Sequence, residues 1–224
     1  MVADLRKLRS LNQWIFCIIY VFIFVAGQAG ASFNFNVFTS NGSYGNSPGA
    51  DMFADISGGG SQIEFTFFNK NSFRSSIAGI YFDIGPLGEV YSITSSPGTS
   101  FAPDFPRPKN LPGGMTLAGP FKSEFSISAA APPPFNGINS NEWIKLIFDL
   151  PAGATPQQII NKIDTGRLRI GIHVIALPDG SSESAILSPE PASLSLIALG
   201  GLMLHRRHKT AAKNRHKLPI LINF

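Results

Sequence analysis

Cysteine is all but missing from this chain. Cys17 is the only one among 224 residues, and the 157 residues from Ser32 to Ser188 have none. That stretch therefore holds no disulfide and no thiol nucleophile, and any fold it adopts depends on an ordinary hydrophobic core. Histidine is nearly as scarce. Of the four, only His173 lies between Ser32 and Ser188, which excludes metal catalysis by clustered His and Cys there. Basic charge is also absent where a nucleic-acid-binding module needs it. The formal net charge of +4 divides into +2 over residues 1–31, +5 over 189–224 and −3 over 32–188, where nine basic side chains face twelve acidic ones. The middle is mildly acidic, so no nucleic-acid partner is expected.

Long apolar runs occur only near the two ends. Arg6, Lys7 and Arg9 precede the uninterrupted run Trp14 to Ala26, and Ala29-Gly30-Ala31 then supplies the small residues that signal peptidase requires. The run is shorter than the ~20 apolar residues of a spanning helix. Residues 1–31 are therefore expected to be a signal peptide cleaved after Ala31, with an uncleaved anchor as the other reading. Cys17 would leave with it.

At the other end, Pro189-Glu190-Pro191 is followed by thirteen uncharged, mostly apolar residues, Ala192 to Leu204, and then by His205-Arg206-Arg207-His208-Lys209. As a helix the apolar run would be ~20 Å long against a hydrocarbon core of ~30 Å. Such a segment is a marginal permanent anchor and suits a transient one. By the positive-inside rule the cationic cluster stays in the cytoplasm and the domain lies outside. His205, His208 and His216 stand among lysines and arginines that repel a cation, so they read as solvated flank.

Between these segments, residues 32–188 read as strands and turns. Ile63, Phe65 and Phe67 alternate with Gln62, Glu64 and Thr66, as a half-buried strand requires. The same period runs through Ile80-Phe82-Ile84, through Ile144-Leu146-Phe148-Leu150 and through Leu168-Ile170-Ile172-Val174. Turn clusters at Gly58-Gly59-Gly60, Gly85-Pro86-Leu87-Gly88, Leu111-Pro112-Gly113-Gly114 and Pro132-Pro133-Pro134 separate the runs. One stretch is helical in pattern: Thr155 is a fitting N-cap, Pro156 a first helical residue, and Ile159, Ile160 and Ile163 share a face. The expected fold is a mainly β, single antiparallel β-sandwich, jelly-roll-like, with one short helix. An N-terminal signal helix and a C-terminal hydrophobic helix would flank it.

The order of parts at the C-terminus resembles the sorting signal of the PEP-CTERM proteins of Gram-negative bacteria. Pro189, Glu190 and Pro191 match the motif, and Arg206 and Arg207 stand in the basic cluster. The resemblance implies recognition by a membrane-embedded exosortase, a transient inner-membrane intermediate and release to the cell surface or extracellular matrix. On this reading residues 189–209 are the sorting signal and 210–224 a basic and apolar extension, where family members usually stop near the arginines. Ile144 to Leu150, Gly166 to Val174 and Asp179 to Ser184 also look like recurring features of small PEP-CTERM ectodomains. Many members accompany exopolysaccharide production and biofilm formation, which implies a surface or matrix protein rather than an enzyme. The partners implied are exosortase, signal peptidase, the membrane and exopolysaccharide, with no cofactor.

Candidate chemistry within residues 32–188 is sparse. His173 is expected on a solvent face with Arg167 and Arg169. A Ser-His-Asp triad stays open, but no Gly-x-Ser-x-Gly elbow is present. A glycosidase-like carboxylate pair stays open among Glu64, Asp83, Glu89, Glu124, Glu142 and Asp149, so a secreted carbohydrate-active enzyme is the alternative reading, beside a permanently anchored surface protein. Asn41-Gly42-Ser43 matches a glycosylation sequon and receives no role. The sharpest expectation is polysaccharide contact. Alternation places Tyr81 and Trp143 opposite the core positions, where their rings would stack on sugars while Asp83 or Lys145 bonds hydroxyls. The competing reading covers both rings with a loop or a second sheet.

Overall fold

The computed structural model describes residues 29–83 and 87–188. The signal segment up to residue 28, Ile84 to Pro86 and the whole sorting signal with its extension lie outside the described residues.

Among the described residues, eleven strands form one antiparallel sheet. They are β1 (Ala29–Val37), β2 (Met52–Gly59), β3 (Gln62–Asn69), β4 (Ser76–Asp83), β5 (Glu89–Ser95), β6 (Phe101–Pro103), β7 (Ser123–Ala129), β8 (Ile138–Asn139), β9 (Trp143–Asp149), β10 (Arg169–Ile175) and β11 (Glu183–Ser188). The strand order is β5-β9-β3-β2-β1-β11-β10-β4-β7-β6, with β8 beside β4. The sheet nearly closes into a barrel, its two edges being β5 and β6. The expectation of a mainly β, antiparallel fold holds. The strands form one continuous sheet because β1 pairs with both β2 and β11; alternation and turn spacing report which residues face inward but not whether hydrogen bonding continues round the side.

The four alternating runs read from the sequence fall on β3, β4, β9 and β10, with Leu150 and Leu168 just beyond the strand ends and Ile84 outside the described residues, and their described apolar members fill the interior. Phe65 of β3 packs edge-on against Phe82 of β4 at 5.4 Å and against Phe148 of β9 at 5.7 Å, while Phe82 and Phe148 meet at 5.6 Å. All three are at most 2% exposed. Edge-to-face rings set the positive rim of one against the negative face of the next, which favours these angles over flat stacking. Without disulfides, this aromatic knot is what joins strands far apart in the sheet order.

The short helices are α1 (Ser47–Ala50), α2 (Pro133–Asn136) and α3 (Pro156–Asp164). Pro132 to Pro134, expected as a turn, open α2. In α3 the Thr155 hydroxyl accepts the Gln158 N–H at 3.4 Å and the Gln158 side chain accepts the Thr155 N–H at 3.0 Å, a complete capping box. Ile159, Ile160 and Ile163 enter the core. After the gap in the described chain, Gly88 has φ +98, and a Cβ there would stand 1.7 Å from the Asp149 carbonyl oxygen. Only glycine fits this close approach of β5 to the end of β9.

Replacing Phe65 by Ala is expected to cost about 3–5 kcal/mol, the usual loss for a buried Phe, and Thr155→Ala about 1 kcal/mol through the lost cap. Urea denaturation checks both, and a Phe65 variant as stable as the parent would displace the aromatic knot from the centre of the fold.

Candidate functional site

The four side chains singled out for sugar contact lie on opposite halves of the sheet. Tyr81 and Asp83 are on β4, Trp143 and Lys145 on β9, and five strands stand between β4 and β9 in the strand order except by way of the open edges, so the four are not brought together.

Tyr81 is only 5% exposed. The segment 104–122 crosses the outer face of β4 and β10 as a strap and sets Leu111 and Phe121 over the tyrosine. Gly171, opposite Tyr81 in the β4–β10 register, makes room: a Cβ there would lie 2.5 Å from Leu111 Cδ2. Burial first, and the negative charge of Asp104 second, push the Tyr81 hydroxyl up to about 12. Asp83 is ion-paired with Arg169, whose guanidinium also donates to the carbonyls of Gly119 and Pro120 and lies 5.3 Å from the centre of the Phe121 ring. Arg169 therefore ties the strap down rather than standing free on a solvent face. Neither Tyr81 nor Asp83 is placed to meet a ligand from solvent; a loop covers them.

The other end of the strap is held by Asp104. Its carboxylate pairs with Lys109 at 2.7 Å and accepts the hydroxyls of Ser126 at 2.7 Å and Ser128 at 3.0 Å. Partial burial works to raise its pKa, but the bonds from Lys109, Ser126 and Ser128 and the lysine charge outweigh it and hold the carboxyl below its ordinary value.

Trp143 and Lys145 occupy a different environment. Both are half-buried on the outer face of β9. Lys145 pairs with Glu64 of β3 at 2.7 Å. Trp143 is the register partner of Phe68, which stacks on Phe53 of β2 at 4.8 Å and 21°. These two phenylalanines, which the sequence pattern alone did not single out, extend an aromatic row from Trp143 across β3 to β2.

A third constellation was not legible beforehand. Glu183, with no exposed surface, accepts the Thr39 hydroxyl, the Asn41 N–H at 2.7 Å and the Gly42 N–H at 2.9 Å. Asp179 accepts both the N–H and the hydroxyl of Ser43 at 3.0 Å, and the same two groups of Ser181 at 3.0 and 2.6 Å. The bonds from Ser181 and then Ser43 hold the Asp179 carboxyl well below the usual carboxylate range. Asn41-Gly42-Ser43 is thus clamped, mainly through its backbone N–H groups, by Asp179 of the β10–β11 connection and by Glu183 at the start of β11. The signal that points to it is a glutamate opening a strand in a serine-rich turn.

His173 is half-buried, not on an open face, with Nδ1 3.1 Å from the Ser184 hydroxyl. Ser184 is 1% exposed, and the neighbouring Glu183 carboxylate is taken up by Thr39, Asn41 and Gly42. A serine and a histidine at this distance would make a nucleophile and its base only where substrate reaches the serine, and here the strand encloses it. Burial lowers the His173 pKa, against an opposing pull from Glu183.

Among the described residues, no group of three or more His, Cys, Asp or Glu is arranged to hold a metal ion, and no helix is long and apolar enough to cross a membrane. Comparisons of the chain with family models, with curated proteins and with solved structures found no match.

The shifted groups set the pH limits of the fold. His173, with its folded pKa lowered, binds its proton more readily in the unfolded chain, so stability falls as pH drops through about 6.5. Tyr81, with its pKa raised to about 12, keeps its proton longer in the folded chain, so stability falls as pH rises above 10. Urea midpoints are expected to be flat between these limits. In His173→Gln the loss just below pH 6.5 should shrink; an unchanged acid limb would assign it to other groups.

Proposed function

We propose that this chain is an exported cell-surface or extracellular-matrix protein, sorted and C-terminally processed by an exosortase-type system, with a non-catalytic ectodomain that is structural or polysaccharide-associated. The observation that carries this reading is the tail: Pro189-Glu190-Pro191, thirteen uncharged residues and a cationic cluster at 205–209, in a chain that also opens with a signal-like segment.

The described residues are compatible with trimming at both ends. The last register pair of β11 is Ser188 with Asn34, so removal of everything from Pro189 onward takes no residue from the described strands. Cleavage after Ala31 would remove the pairs of Ala29, Gly30 and Ala31 with Gly58, Ser57 and Ile56. Ser32 to Val37 would remain, with Phe33 and Phe35 in the core and every pair with β11 intact. β1 and β11 are antiparallel neighbours, so both cut ends leave the same end of the sheet. The finer reading of residues 32–188 as a jelly-roll-like sandwich belongs to this proposal. Its support is the way β3 and β9 face β4 across Phe65, Phe148 and Phe82.

The test is intact mass and cell fractionation of the protein from its host, with and without Pro189-Glu190-Pro191 replaced by alanines. The expected product begins at Ser32, lacks the C-terminal segment and appears outside the inner membrane; the replacement abolishes the C-terminal loss. A full-length C-terminus in the membrane fraction of both forms would overturn the sorting reading and leave a permanent anchor.

A further inference from the structure

The two halves of the sheet differ on their outer faces. The strap covers β4 and β10, whereas the outer face of β9 and β5 keeps large side chains in contact with solvent. Tyr91 of β5 is 64% exposed, which is unusual for an aromatic ring on a paired strand. It faces outward because the β5–β9 register shifts between Val90 and Ser92: Val90 and Ile93 both pack on the core, and the extra residue between them turns Tyr91 away.

Tyr91 lies beside the Ile147–Phe148 stretch of β9, four to five residues along the strand from Trp143. That separation is about 13 Å or slightly more at the usual strand rise. Between the two rings stand Lys145 and its register partner Thr94, with Glu64 reaching Lys145 from β3 and Asp55 one strand further. The face thus has two aromatic groups at its ends and a mixed set of hydrogen-bond donors and acceptors between them, on a platform built from paired strands.

We infer that this face is a binding platform for a neutral polysaccharide, lying along β9 and β5 between Trp143 and Tyr91. The inference rests on the polysaccharide-associated reading above and gives it a site and a ligand class. Sugar rings offer apolar faces to aromatic side chains and a rim of hydroxyls to charged and hydroxyl groups, which is the alternation present here. The charge selects the neutral class. Asp55, Glu64, Glu89 and Asp149 outnumber Lys145 and Lys70, whose ammonium lies over the Phe68 ring, so a polyanionic chain, a nucleic acid or an anionic membrane surface would meet net repulsion. The platform replaces the sites expected at Tyr81 and Asp83, which the strap covers, and keeps those at Trp143 and Lys145.

The test is affinity electrophoresis of the protein purified from its producing cells, in gels holding hydroxyethyl cellulose, galactomannan or alginate. At least one neutral polymer is expected to retard the protein, and alginate to leave it unretarded. Tyr91→Ala and Lys145→Ala should each weaken retardation tenfold or more. Phe135→Ala, which removes a ring 74% exposed on α2, should leave it unchanged and so separates a site from general stickiness. Thermal unfolding verifies that the variants are folded, and Tyr91, being mostly exposed, is the substitution least able to disturb the core. Retardation by alginate alone, by no polymer, or equally in the variants would overturn the inference. So would a dimer in sedimentation that Tyr91→Ala dissolves, since the face would then serve a second copy of the chain. Mass and fractionation read sorting separately, so a correctly processed protein that binds no glycan removes this inference and leaves export and processing standing.

Discussion

Pairing between the first and the last described strand governs the rest of the architecture. β1 joins β11 through four register pairs, from Asn34 with Ser188 to Val37 with Ala185, while its other edge carries β2. Without that ladder, β5-β9-β3-β2-β1 and β11-β10-β4-β7-β6 would be two separate sheets, each with an extra unpaired edge. With it, the halves curve toward one another and bring Phe65 and Phe148 against Phe82. The core is thus a consequence of closure as much as its cause: burying rings at the centre stabilises the wrapped sheet, and wrapping sets the distances at which the rings meet edge to face.

The ends of the same ladder hold the polar clamps. Phe38 donates its N–H to the Ser184 carbonyl just beyond the last β1–β11 pair, and the chain then runs into Thr39, Asn41 and Gly42, which the buried Glu183 collects. A buried carboxylate is costly unless its lone pairs are filled, and here one hydroxyl and two backbone N–H groups fill them. The strap at 104–122 uses the same economy with Asp104 at one end and Arg169 at the other. Charged groups on the β4–β10 half therefore fasten loops to the sheet. On the β9–β5 half the Lys145–Glu64 pair fastens no loop and stays about a third exposed, which is why the two outer faces differ in what they can offer a partner.

How much of this was legible follows from how local each signal is. β3, β9 and β10 announce themselves because Ile63-Phe65-Phe67, Ile144-Leu146-Phe148 and Ile170-Ile172-Val174 alternate strictly, and α3 because Thr155, Pro156 and three isoleucines fall at cap and face positions. β11 is harder to read, since Glu183 and Ser184 are buried polar residues that break the alternation. The start of β1 overlaps the small residues that read as a cleavage site. The position of Trp143 and Lys145 on an outer face follows from period two alone. Tyr81 obeys the same period, yet its burial depends on Leu111 and Phe121, thirty and forty residues away in sequence, and nothing within β4 signals their approach. Tyr91 escapes a period-two reading for the opposite reason: the register shift at Val90 and Ser92 changes which residues face outward.

Closure by the last strand also bears on when the protein folds. Since β11 supplies one whole side of β1 and of β10, the sheet cannot be completed until residue 188 is available, and pairs such as Asn34 with Ser188 span nearly the entire described chain. Long-range antiparallel pairing of this kind is slow to form, because the loop-closure entropy is spent before the contacts repay it. On the proposed reading, that delay suits export. A chain whose N-terminal strand has no second partner until its C-terminal strand arrives remains unfolded while it crosses a membrane. The bond after Ala31, cleaved on the proposed reading, lies in a segment that pairs with Ile56 and Asp55 once β1 and β2 have joined, so cutting there is easiest before the sheet forms. On that reading the leader is removed from an open chain, because the β1–β2 ladder would otherwise enclose its cleavage point.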